Sequence, residues 1–185
     1  MKAPPHIETS RLTLTAPTAA DGPEVFERYA SDPTVTRYLG WPRHQTLADT
    51  RAFLAFSVIE WDRWPAGPYL IRARADGRLL GGTGLGFARP DEAVTGYVLA
   101  KDAWGKGYAT EALRAMVDLA RTIEIVRLYA LCHPEHQASR RVLEKCGFER
   151  DASWTRQVEF PNLAAGVRQD VICYARILGD DGHAE

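Results

Sequence analysis

No run of five or more like charges occurs in these 185 residues, and the formal net charge is −1. The missing basic block removes the electrostatic footprint of nucleic-acid binding and of a polybasic membrane anchor. Long apolar runs are absent too, and Met1 to Ser10 carry two prolines without an apolar stretch, so neither a signal peptide nor a membrane span is expected. Cysteine is scarce and odd in number: Cys132, Cys146 and Cys173 lie among apolar neighbours without the paired spacing of a metal site. They read as reduced, packed thiols in a cytoplasmic protein that needs no metal. The chain also lacks the GxxxxGK[ST] loop of nucleoside triphosphatases and the GxGxxG of dinucleotide folds. No internal repeat or low-complexity tract is present. A chain of this length suits one domain, which buries roughly 70% of its unfolded surface; residues 1–178 are expected to form it and 179–185 a loose tail.

What is present is a glycine-opened helix. Trp104-Gly105-Lys106-Gly107-Tyr108-Ala109-Thr110-Glu111-Ala112 places two glycines between an apolar strand and an amphipathic helix. Without Cβ atoms at Gly105 and Gly107 the backbone can take positive φ and approach a ligand closely, while the first N–H groups of a helix have no partner of their own. That arrangement fits a phosphate or pyrophosphate; a plain glycine-softened turn is the other reading. Upstream, Ala93 to Ala100 reads as a strand, with Gly96 marking a bulge or close approach. Downstream, Ala109, Leu113, Met116, Val117 and Ala120 recur at helical spacing.

The remaining elements follow from the same signals. A strand is expected at Arg11 to Ala16, a helix from Ala19 to Ala30, a Pro/Gly/Trp-rich loop, and a helix from Leu47 to Asp62 capped by Thr46 or Asp49. Strands follow at Tyr69 to Ala75 and Arg78 to Ala88, joined at Asp76-Gly77 by a two-residue hairpin. Val126 to Cys132 reads as a strand, Glu135 to Lys145 as a helix ended by Gly147, and Phe148 to Gln157 and Arg168 to Ile177 as closing strands.

In this order the pieces resemble the GNAT superfamily of acetyl-CoA-dependent N-acetyltransferases, in particular the branch of ribosomal-protein acetyltransferases RimJ and RimL. The resemblance rests on Ile7 to Leu14, Thr34 to Trp41, Gly96-Tyr97-Val98-Leu99, Trp104 to Ala112, His133 to Phe148, and Gly166 with Arg168, Asp170 and Tyr174. It implies an α/β (α+β) fold: a mixed, mostly antiparallel sheet of about seven strands, flanked by four helices and splayed between the fourth and fifth strands. It further implies acetyl-CoA as cofactor, with its pyrophosphate at Trp104, Gly105, Lys106, Gly107, Tyr108, Ala109 and Thr110 and its pantetheine along Tyr97, Val98 and Leu99. A backbone N–H near Val98 or Leu99 would polarise the carbonyl, and a primary amine would attack directly.

Departures from that pattern shape the remaining expectations. Leu143 stands where many members carry a tyrosine acid, which leaves the Ser139 hydroxyl to assist the departing thiolate or, alternatively, to bond its own helix. His136 stands where the branch carries a pantetheine-binding asparagine; it either contacts the cofactor, works as an acid or base, or is an exposed first-turn histidine. Val94 replaces a strand glutamate, so Glu92, His133 or a water is left as base. Taking a proton from lysine at neutral pH costs about 4.6 kcal/mol and from a chain α-amine only about 1–1.4, so the missing glutamate favours an α-amino acceptor. Trp41, His44 and Trp61 are expected to line the acceptor pocket, with core packing as the alternative. Glu111 reads as structural, and Lys106 meets an outer phosphate or solvent. Trp154, Arg156 and Phe160-Pro161-Asn162 offer a homodimer edge. The alternative to an enzyme is an acyl-CoA-binding regulatory or interaction protein that has lost turnover.

Overall fold

Alternating apolar strands, cut by turns rich in Gly, Pro and Asp, pair into one sheet in the computed structural model, which describes residues 1–179. The strands are β1 (His6–Glu8), β2 (Leu12–Thr15), β3 (Pro68–Ala73), β4 (Leu79–Arg89), β5 (Glu92–Leu99), β6 (Arg127–Cys132), β7 (Glu149–Arg150), β8 (Arg156–Glu159) and β9 (Arg168–Ile177). Their order is β1-β2-β3-β4-β5-β6-β9-β7, with β8 also on β9, making 9 strands where about seven were expected. The surplus has two sources. His6–Glu8 pairs with β2, and the expected strand 148–157 breaks in two because the Asp151 carboxylate accepts from the Ser153 N–H and hydroxyl and turns the chain. Every pairing is antiparallel except that of β5 with β6. The expected tail, 179–185, lies outside the described residues apart from Gly179.

Among the described residues four helical stretches flank the sheet, besides a short 3-10 turn at Lys101–Ala103 that follows β5. The first, α1, covers residues 19–30 as a 3-10 turn, an α turn and a π turn in succession. The second is α2 (Leu47–Arg63), started by a capping box in which Thr46 is the N-cap and Asp49 returns the bond to its N–H. The third is α3 (Tyr108–Thr122), which buries Ala112, Leu113, Met116, Val117, Leu119 and Ala120 against the sheet, the stripe its spacing predicts. The fourth is α4 (Gln137–Lys145), with Leu143 buried.

Two local expectations need correction. The β3–β4 connection is longer than a two-residue hairpin: the Ala73 N–H donates to Arg78 O and the Gly77 N–H to Ala73 O, so residues 74–77 form the turn and Gly77, at φ +72°, closes it. Gly96 is not a bulge either. The β4–β5 ladder runs unbroken from Gly81↔Leu99 to Phe87↔Ala93 and shifts only between Phe87 and Arg89. All three cysteines are free and buried, as expected.

Candidate functional site

The turn before α3 has the backbone its sequence calls for. Gly105 and Gly107 sit at φ +73° and +80°, and a Cβ on Gly105 would meet nothing within 4 Å. Among the described residues, the N–H groups from Gly105 to Thr110 donate to no protein acceptor, so they are available to an anion at the α3 N-terminus. Arg11 braces this turn from behind. Its Nη1 donates to Lys106 O at 2.9 Å, its Nε to Glu111 at 2.7 Å, and its guanidinium lies 4.8 Å from the Tyr108 ring centroid. Glu111 also accepts from Thr9 Oγ1 at 2.6 Å and from the Arg11 N–H at 2.7 Å, which makes it a structural tie. Burial alone would push the Glu111 carboxyl up, but the bonds from Thr9 and Arg11 outweigh it and hold it below the usual carboxylate range.

A groove of about 220 Å³ runs from this turn between α3 and α4, lined among others by Leu99, Gly105, Gly107, Arg141 and Lys145. It extends from the unpaired N–H groups to the end of β5, so the residues present fit a pyrophosphate followed by a slender arm. Arg141 and Lys145, one turn apart on α4, are cations that the sequence reading missed. A larger cavity of about 920 Å³ lies across α3, between it and residues 4–11, and is not lined by Tyr97, His136 or Ser139.

At the far end of the groove the sheet parts. β5 and β6 are parallel partners only from Glu92↔Arg127 to Val94↔Tyr129. Beyond Val94 the facing edge of β5 is open, as a splayed sheet requires. Because the Ala100 N–H turns to β4, donating to Leu80 O, strand alternation turns the N–H groups of Tyr97 and Leu99 to the open side. Of the two amides expected to polarise a carbonyl, Leu99 therefore has the correct direction. Its carbonyl is already covered by the Trp104 indole N–H at 2.8 Å.

Side chains from three elements converge here. Tyr97 Oη lies 3.0 Å from Ser139 Oγ and 3.1 Å from Ser139 O. Burial pushes the Tyr97 phenol far above its ordinary value, so it stays protonated and a donor. Cys132 is buried beside them at the end of β6, its thiol directed at the carbonyls of His133 and His136. His136 is the N-cap of α4, one turn before Ser139 on the same face. Its ring stacks on Tyr38 with centroids 4.8 Å apart, and neither ring nitrogen is hydrogen-bonded among the described residues. Burial, reinforced by the charge His133 can carry, lowers its pKa and keeps the imidazole neutral.

Two residues expected as bases are otherwise engaged. His133 Nδ1 accepts the Glu135 N–H at 3.2 Å and its Nε2 faces Gln169 at 3.4 Å, while its ring sits between Tyr38 and Phe160. Glu92 lies at the paired start of β5, about 16 Å along the strand from Tyr97 at ~3.3 Å per residue. Both its oxygens are held in ion pairs, one with Arg127 at 2.7 Å and the other with Arg89. Leu143 is buried in the core, and Val94 pairs with Tyr129.

The loop between α1 and α2 forms a wall beside the end of β6, with the Tyr38 ring against His133 and His136. Trp41 and His44 sit together with ring centroids 5.1 Å apart, and His44 Nδ1 is 2.9 Å from the Thr50 hydroxyl. Trp61 belongs elsewhere: its indole N–H donates to Pro68 O at 2.8 Å and its ring meets Tyr69 edge-on at 5.0 Å, so it is a core residue and not part of this wall. The expected dimer edge is likewise used within the chain. Trp154 is sandwiched between the guanidiniums of Arg127 and Arg156, each 4.3 Å from its centroid, and Phe160 is buried. Asn162 clamps the loop: its Nδ2 donates to Thr36 O and Trp41 O at 2.8 and 2.9 Å, and its Oδ1 accepts the Arg43 N–H at 2.7 Å.

The sequence model of the acetyltransferase (GNAT) domain matches residues 11–149. An uncharacterized N-acetyltransferase p20 of Bacillus licheniformis is 27% identical over 146 residues, which is 77% of this chain and 82% of that protein. Among solved structures, RimL, a ribosomal L7/L12 α-N-protein acetyltransferase in complex with coenzyme A, superposes with a TM-score of 0.80 at 25% identity, covering 94% of this chain and 98% of the other. A GNAT-family acetyltransferase from Bacillus anthracis superposes with a TM-score of 0.79 at 24% identity over 95% and 99% of the two chains.

Proposed function

This chain belongs to the GNAT acetyltransferase family, and from that premise we propose that it transfers acetyl from acetyl-CoA to a primary amine, with an α-amino group on a peptide or small molecule as the preferred acceptor. The observation that carries the reading is the groove that joins unpaired amides at residues 105–110 to Leu99, the last residue of the parted β5 edge.

The amides from Gly105 to Thr110, with Arg141 and Lys145 above them, hold the pyrophosphate, and the open edge of β5 pairs with the pantetheine arm. Bound there, acetyl-CoA supplies a thioester carbonyl that is open to attack by an amine. The Leu99 N–H donates to the carbonyl oxygen as it gains charge. Neutral His136 takes the proton that the amine loses, as its free ring nitrogens and lowered pKa allow. Ser139 donates a hydrogen bond to the departing thiolate and keeps its proton, and Tyr97 positions that hydroxyl when its phenol donates to Ser139 Oγ. The proton taken from the amine by His136 is the one the thiolate recovers. Histidine is a weak base for a lysine ammonium and an adequate one for an α-amine, which is the reason for the preferred acceptor.

One peptide carrying both a free N-terminus and a lysine tests this directly. Incubation with acetyl-CoA and mapping of the product by mass spectrometry is expected to find acetyl on the α-amine; dominant ε-acetylation would overturn the acceptor assignment. Thermal stabilisation by acetyl-CoA without thiol release across a broad amine panel would instead make the protein an acyl-CoA binder without turnover.

A further inference from the structure

Strand alternation leaves one face of the two central strands almost bare. Gly82, Gly84 and Gly86 occupy every second position of β4, and in the ladder they pair with Val98, Gly96 and Val94 of β5, so all six share a face. A Cβ on Gly82 would stand 3.3 Å from Tyr29 Oη, which identifies this face as the one under α1, opposite the α3 core. Gly96 is exposed, and a Cβ there would meet nothing within 4 Å; the other five are half-buried. Glycines weaken a strand, but they let another backbone approach it closely. From Gly82 to Gly86 this floor is about 13 Å long, the span of about four extended residues.

A hydroxyl is aimed at this floor. Tyr29, on the π turn that ends α1, is 3% exposed, yet its Oη makes no hydrogen bond among the described residues. Every side-chain N or O sealed from solvent among those residues has a partner, so this oxygen reaches the gap over Gly82. Its ring packs in one cluster with Leu70, Val98 and Trp41. Burial pushes the phenol well above its ordinary value, so it stays protonated and able to donate. A donor in apolar surroundings suits a neutral carbonyl oxygen; a carboxylate would lose far more hydration there. Val98, opposite Gly82, precedes Leu99, whose N–H faces the open edge, so the hydroxyl stands one strand spacing, about 4.8 Å, inside the edge where the amine reacts. In a peptide the first carbonyl is attached to the α-carbon that carries the amine. Resting on the assignment of an amine acceptor, we propose that Tyr29 and the glycine floor form the acceptor subsite. It takes the N-terminal residues of an extended peptide, with Tyr29 Oη donating to the first carbonyl oxygen.

Alaninamide and isopropylamine test the hydroxyl, because both carry the amine on a branched carbon and the first alone has the carbonyl. Tyr29→Phe keeps the ring and its packing. It is expected to lower the ratio of their kcat/KM values by about tenfold, as loss of one hydrogen bond in an apolar site implies, whereas a structural role would lower both alike. The different amine pKa values cancel, since wild type and variant are compared on the same pair. Trialanine amide tests the floor. The wild type is expected to favour it over alaninamide by about tenfold, and Gly96→Val, a strand former placed in open space, to erase that preference. Calorimetry of alaninamide on the coenzyme A-loaded protein separates the subsite from the reaction. Binding that Tyr29→Phe weakens about tenfold, without acetyl transfer, would keep the subsite and overturn the proposed reaction on amines. A Tyr29→Phe ratio within about twofold of the wild type overturns the subsite even where acetyl transfer is normal. So does a Gly96→Val protein that keeps the preference for trialanine amide, or a wild type that neither binds nor acetylates either amide.

Discussion

The two sides of the candidate site are built by different means. On the cofactor side, recognition belongs to the backbone: two left-handed glycines, a helix start, and the unpaired edge of a strand. On the proposed acceptor side there are side chains from segments far apart in sequence, with Tyr38 stacked on His136 and tilted against His133, and Asn162 holding the loop that carries Trp41 and His44. Backbone recognition tolerates no change in conformation but is indifferent to most side chains. Side-chain recognition can be retuned residue by residue, which is how one cofactor site can serve many acceptors on the same fold.

The largest expected effect lies where the walls meet. His136→Ala is expected to lower kcat by about 10²–10³ while leaving the KM for acetyl-CoA within about twofold, since general-base assistance acts on the chemical step. The pH profile sharpens the point. In the proposed mechanism His136 acts as the neutral imidazole, and its pKa lies below the ordinary value of ~6.5, so the rate should fall only as pH drops through that lowered value. In the alanine variant this acid limb should disappear. A variant that keeps both rate and limb would remove His136 from the chemistry.

Next comes the cofactor wall itself. Gly107→Val puts a β-branched side chain at φ +80°, with its Cβ 3.4 Å from Arg11 Nη2. The left-handed conformation alone costs a non-glycine residue about 1–2 kcal/mol. With the brace disturbed as well, calorimetry is expected to find acetyl-CoA binding weakened by about 10²-fold. Ser139→Ala should cost about 10–30-fold in kcat and Tyr97→Phe about fivefold, both with unchanged acetyl-CoA binding, if the phenol acts only by orienting the serine. An equal loss in Tyr97→Phe and in the double variant would show the two to be one unit.

Arg11→Ala should act more mildly, raising the KM for acetyl-CoA by about tenfold through a loosened turn. It also exposes a stability link. The Glu111 carboxyl is held below its ordinary pKa, so its contribution to folding is present above the unfolded value of ~4.3 and is lost as pH falls through the depressed one. Thermal melts at pH 7 and pH 3 should therefore differ less in Arg11→Ala than in the wild type.

How much of this was legible in the sequence follows the same division. The glycine turn and α3 could be read directly, because positive φ and an amphipathic stripe are written in consecutive residues. The family resemblance supplied the splay, and the parallel pairing ending at Val94 gives it a location. Arg11 escaped notice because its contacts with Lys106 and Glu111 span about a hundred residues that only the β2–α3 packing brings together. The surroundings of Glu92 were hidden for a related reason: nothing local revealed that Arg127 and Arg89 pair with its oxygens. Trp61 looked like a pocket residue because its composition suits either a pocket or a core; the Pro68 carbonyl decides.

The smallest expected effect is the one most specific to the acceptor wall. Asn162 fills all its near positions with backbone partners from residues 36–43, so Asn162→Ala leaves two carbonyls and one N–H of that loop without their bonds. The loop lies at the surface, where water can replace much of what is lost, so the fold should hold and the melting temperature should drop by only a few degrees. What water cannot replace is the position of Trp41 and, through Thr36, of Tyr38. The KM for the amine is therefore expected to rise about three- to tenfold, with the KM for acetyl-CoA unchanged. Asn162→Asp keeps the Oδ1 acceptor for Arg43 and loses both donors, so it should lie near the alanine variant if Thr36 and Trp41 matter most. Should Asn162→Ala weaken acetyl-CoA and amine alike, the two walls would not be separate, and loop 31–46 would instead be acting on the cofactor groove through the Tyr38 stack on His136.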